Sequence, residues 1–180
     1  VTWRNWRSLL VIGLAAVLLQ EAVAQQIVLA GAHPDLFLLL AAAAGVAGGA
    51  QRGAVVGFLL GLVADLFVAM PYGLSALCFV FVAFSTGLVS GAFGDRTPRT
   101  LIVLTIFLAG AGGTLLYVLL AVVLGQPHVP RGQLTDVVAV VSLANAVLAL
   151  PAVAAMRWAL REPGKGRVMT SRSSIRAAAR

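Results

Sequence analysis

The sequence predicts an all-α integral membrane protein that crosses the bilayer about six times, with both ends in the cytoplasm. Three observations predict it. Of the 180 residues, 61% are hydrophobic and 11% charged, whereas an ordinary soluble domain carries about 25% charged residues. The mean hydropathy is +1.00, and the apolar residues fall into long runs rather than a scattered core pattern. Finally, 12 of the 13 basic residues cluster at one set of run ends, the asymmetry that the positive-inside rule describes. Lipid offers no partner for free backbone groups, and the runs do not alternate as barrel strands do, so the spans are helices.

A bilayer core about 30 Å thick takes roughly 20 helical residues. The first span is read over 8–23, after Arg4 and Arg7. A second reading stays open there: a basic start, an apolar stretch and the ending Ala22-Val23-Ala24 also describe a cleaved signal peptide. Gln20, Glu21, Gln25 and Gln26, spaced among apolar residues, predict a helix that continues into the outer interface or lies along it, a wet helix end. The second span, 34–49, opens with Pro34 and Asp35, a proline and an acid suited to a first helical turn. Arg52 separates it from the third span, 53–70. The fourth covers 73–92, and Arg96 and Arg99 precede the fifth, 100–124. The sixth, 135–160, contains Pro151, which predicts a kink, and carries Arg157 in its last turn. Only Arg131 falls on the outer side.

Residues 161–180 form a tail with six basic residues and one acid, Glu162. Pro163, Gly164, Gly166 and its serines predict no packed fold. Its charge predicts attraction to anionic inner-leaflet lipid. No aromatic residues interleave with basic ones in the manner of a nucleic-acid surface, and nucleic acid is not an expected partner.

The third span carries the most specific pattern. Gly53, Gly57, Gly61 and Asp65 recur every four residues and so share one helix face. Glycines at that spacing allow another helix to approach closely; they predict internal packing or a partner face. A carboxylate in a membrane segment needs a partner. Asp65 lies just before the short turn Ala69-Met70-Pro71-Tyr72-Gly73, after which the next helix begins with free amides. The expected role is a structural clamp in which Asp65 accepts hydrogen bonds from amides near Gly73, Leu74 or Ser75, with Pro71 shaping the turn. A partner contact or a proton relay stays open as an alternative.

Further small-residue pairs, Gly45 with Gly49 and Gly87 with Gly91, together with Gly110, Gly112 and Gly113, suit close helix packing. Asn145, Thr105 and Thr114 are placed to bond across helices. His33 and His128 stand alone in loops, without zinc-ligand spacing. Cys78, the single cysteine, reads as a small buried apolar residue. Ser75 and Cys78 have no histidine in their span. No catalytic set, metal site or cofactor site is predicted, and the reading is not an enzyme.

Several motifs now fall in order. Leu19-Gln20 ends the first span, and the run Pro34-Asp35-Leu36-Phe37-Leu38-Leu39-Leu40 opens the second. Arg52-Gly53, Gly57, Gly61-Leu62, Asp65-Leu66, Pro71 and Gly73-Leu74-Ser75-Ala76-Leu77 follow. Their order and spacing resemble the bacterial rod shape-determining protein MreD family, with Pro34, Asp35 and Leu36 as the opening motif. The resemblance is strong over about Gln20 to Gly91. It implies a multi-pass protein of the bacterial plasma (inner) membrane that acts in the elongation complex governing cell shape and peptidoglycan synthesis. The implied partner is the bitopic protein MreC, and through it MreB, RodA and penicillin-binding protein 2. The family is also distantly similar to the substrate-binding membrane subunits of energy-coupling-factor vitamin transporters, a fold-level analogy. The alternative function is therefore a subunit that binds a small, vitamin-type molecule.

Overall fold

A computed structural model describes residues 11, 13–20, 35–67, 73–94, 97–125 and 134–160. Pro34, Pro71, His33, His128, Arg131 and the 161–180 tail lie outside the described residues. All regular structure among the described residues is helical. The described part of α1 is residues 11 and 13–20. It is followed by α2 (Leu36–Asp65), α3 (Leu74–Phe93), α4 (Arg99–Val123) and α5 (Leu134–Ala159).

Four helices, α2 to α5, are long and apolar enough to cross a membrane. That is fewer than the six expected, for two reasons. The first span is described only in part. The second and third follow one another without a loop and are labelled together as α2, two helical arms that meet at a single residue, Gly49, whose φ of 79° and ψ of 174° are non-helical. Glycine reaches that backbone region without the Cβ clash other residues meet. The break is a reversal. Gly45 and Gly53 would stand about 12 Å apart along a straight helix, yet a methyl group on Gly53 would lie 2.5 Å from the Gly45 Cα. The first arm (residues 36–48) and second arm (50–65) therefore lie against each other. The second arm ends at Asp65, short of the expected Met70, with Leu66 and Phe67 in a turn.

The first arm is the centre of the bundle. Ala41, Ala42, Ala43 and Ala44 are each at most 1% exposed, so this helix is enclosed on every face, as a helix that is apolar all round must be. The second arm and α3 cover it tightly, whereas α4 and α5 pair chiefly with each other and complete the wall. Outward-facing residues are large and apolar: Val147 is 77% exposed and Leu66 and Val123 72%. Such a surface suits lipid, where helix association rests on close packing and not on the exclusion of water.

Helix ends follow from local chemistry. Proline suits the start of a helix, and Pro98 is the N-cap of α4. Gly94 after α3 and Gly125 after α4 take positive φ, the common way to stop a helix. α5 holds Pro151 inside its length. Charge is sorted by end. Asp35 and Asp65 share one end with Ser75, Tyr117 and Val137. Arg52 and Leu160 share the other, either side of Gly48.

Candidate functional site

The acid end holds the convergence of polar groups, and it is built from helix termini. α3 starts at Gly73, whose φ of 103° lies in the left-handed region and whose missing side chain leaves the helix without a cap of its own. Its first amides would have no acceptor. Asp65, at the last position of α2, supplies one from the preceding helix. Its Oδ2 accepts from the Gly73 amide at 2.7 Å and from the Ala76 amide at 3.4 Å, and its Oδ1 accepts from the Ser75 amide at 3.1 Å. Asp65 is 3% exposed. A negative group is favoured at the positive end of a helix dipole, so its cost of burial is offset by three N–H donors and an aligned field.

Asp35 does the same locally for α2. Its Oδ1 accepts from the Leu38 amide at 2.9 Å. A second oxygen comes from α1, where Gln20 Oε1 accepts from the Leu36 amide at 2.9 Å. Gln20 is thus a cap for a distant helix, not the wet end expected. Between these caps lies a cavity of about 580 Å³. Among the described residues its polar lining is Gln20, Asp35, Ser75, Thr114 and Tyr117, drawn from α1 to α4.

The glycine face of α2 is occupied by the chain itself. A methyl group on Gly57 would lie 2.6 Å from the Phe79 carbonyl oxygen, and one on Gly61 would meet the Ala76 backbone. Gly45 faces the Ala83 carbonyl, and Gly87 the Ala50 backbone. The packing alternative for Gly53, Gly57 and Gly61 fits this geometry.

The cross-helix hydroxyl bonds do not come from the residues expected to make them. Thr114 Oγ1 donates within its own helix to Gly110 O at 2.8 Å. The Asn145 amide nitrogen, against Gly110, is buried without a partner. Instead Thr86 Oγ1 donates to Ala42 O at 3.0 Å and Ser90 Oγ to Val46 O at 3.1 Å. The sequence carries one signal for both, their spacing of four on one face of α3. Cys78 is buried at 1% exposure, and no three potential metal ligands stand together among the described residues.

Long apolar helices, a lipid-suited exterior and acids used as helix caps define a multi-pass helical membrane protein. The chain belongs to the rod shape-determining protein MreD family, whose model matches residues 2–157. No curated protein and no solved structure matches the chain, so the analogy to vitamin-transporter subunits gains no support from a known fold.

Proposed function

We propose that this chain is a non-catalytic scaffold of the rod elongation complex in the bacterial inner membrane. It would associate with MreC and through MreC with MreB, RodA and penicillin-binding protein 2. The observation that carries this reading is the family match, which runs through every described helix up to Arg157. The acids of the site support it: Asp35 and Asp65 each cap a helix, which is a structural use. On this reading Asp65, with Gly73 and Ser75, clamps the junction between α2 and α3, and the basic tail rests on anionic lipid.

A six-span topology with both ends cytoplasmic belongs to the same proposal. The reversal at Gly49 and the separation of acids from arginines by end support it, the arginine end facing the cytoplasm. The arms of α2 would be two short spans, of about 20 and 24 Å. Gln51→Cys in a Cys78→Ala background tests this with a membrane-impermeant thiol reagent. Labelling from the cytoplasmic side alone is expected, and labelling from the outside would overturn it.

The functional test is a mild-detergent pull-down of the tagged protein. Recovery of MreC with RodA or penicillin-binding protein 2 is expected. The cavity at the acid end favours one second reading, a small-molecule carrier subunit. Recovery of an ATP-binding-cassette module and its coupling subunit in place of MreC would decide for that reading.

A further inference from the structure

The cavity at the acid end has a lining that a scaffold does not require. Among the described residues, four aromatic side chains, Phe37, Phe67, Phe79 and Tyr117, share it with one carboxylate, Asp35. They come from the start of α2, the turn after it, α3 and α4, so no local sequence pattern accounts for their convergence. No lysine, arginine or histidine lines the cavity among the described residues. The cap that Asp35 makes to the Leu38 amide engages a neutral group and supplies no opposing positive charge.

Ring faces attract cations electrostatically, the more so when water is excluded. A carboxylate adds direct attraction, strengthened by the low dielectric of the bundle. An anion would be repelled by Asp35, and a neutral apolar molecule would desolvate it without compensation. The volume of about 580 Å³ falls within the range of small-molecule sites, roughly 300–1,000 Å³. We propose that this cavity is a binding site for a small organic ammonium ion, held by Asp35 and the aromatic wall. The site goes beyond the scaffold reading and stands independently of it.

The test uses the purified full-length protein in detergent micelles, with choline as the probe and 3,3-dimethylbutan-1-ol as its uncharged counterpart of the same shape. Calorimetry should show choline binding with millimolar or tighter affinity, and the neutral molecule binding at least about tenfold more weakly. Asp35→Asn keeps the helix cap, because asparagine caps as well as aspartate, but removes the charge. It should move the unliganded melting temperature by only a few degrees, because the charge–dipole term alone is lost, and weaken choline at least about tenfold. Tyr117→Leu, on α4 and away from any cap, should weaken choline several-fold and spare the neutral molecule. Equal binding of the two probes, full choline affinity in Asp35→Asn, or no choline binding at about ten times a millimolar constant would overturn the proposal. Loss of MreC capture in the pull-down would not bear on these readouts.

Discussion

The two halves of this bundle use glycine in opposite ways. Along α2 and α3, glycines mark places where backbone meets backbone: Gly45, Gly53, Gly57, Gly61 and Gly87 each stand against main-chain atoms of a neighbouring helix or arm. Along α4 the contacts are looser: a methyl group on Gly110 would lie 3.2 Å from the Ser142 Cα, and the other neighbours of its glycines are side chains or nothing. A methyl group on Gly113 would approach the Leu38 Cδ1 at 2.7 Å, and one on Gly112 would find open space beside a groove lined by Ser85 and Thr105. Backbone cannot yield, whereas a leucine terminus can turn. The α2–α3 half is therefore a seam with a fixed separation. The α4–α5 half is a wall that tolerates adjustment, and it leaves the Asn145 amide nitrogen buried without a partner.

The largest expected effect breaks the seam. Gly61→Val must push α3 away along its first turn, and overpacking of a close interface costs about 1–3 kcal/mol or more. Loss of monodisperse protein in detergent is the expected outcome; a wild-type melting temperature would show that the seam can open. Next comes Asp65→Ala, which leaves the amides of Ser75 and Ala76 buried with no acceptor. Each orphaned amide costs about 1–3 kcal/mol, so a loss of about 3 kcal/mol in detergent unfolding is expected. Wild-type stability and yield would sink the clamp. A smaller effect sharpens the comparison. Thr86→Val removes the α3 hydroxyl bond to Ala42 O while keeping shape, and membrane hydrogen bonds of this kind average about 0.6 kcal/mol. A loss of several kcal/mol would mean that Thr86, and not the glycines, sets the α2–α3 spacing.

Much of this was legible in the sequence, for reasons that differ by element. The apolar runs over α3, α4 and α5 placed those helices to within a residue or two, because lipid selects for length and hydropathy directly. The four-residue spacing of Gly53, Gly57, Gly61 and Asp65 put a buried acid beside the start of α3, since an uncapped helix start and an intramembrane carboxylate each need the other. What sequence could not supply was the three-dimensional use of glycine. Gly49 and Gly45 form a pair by spacing, yet one reverses the chain and the other lies beneath α3. Gln20 looked like a wet helix end because its partner, the Leu36 amide, is sixteen residues away. The aromatic lining of the cavity was likewise invisible, as Phe37, Phe67, Phe79 and Tyr117 share no period.

The smallest expected effect is the most discriminating one. Gly112 and Gly113 are adjacent on α4, equal in helix propensity and indistinguishable in sequence. Gly112→Ala adds a methyl group to open space and also removes the conformational cost of glycine in a helix, about 1 kcal/mol. Stability in detergent should be unchanged within about 0.5 kcal/mol or slightly raised. Gly113→Ala should lose a little, because Leu38 and Val82 must shift to admit it. The sign of the difference between these two variants, measured side by side, therefore tests whether α4 faces the first arm of α2 through Gly113. If Gly112→Ala proved the more damaging, the α3–α4 groove would have to be closed in the membrane. The contrast between a rigid seam and an adjustable wall would then fail on the α4 side.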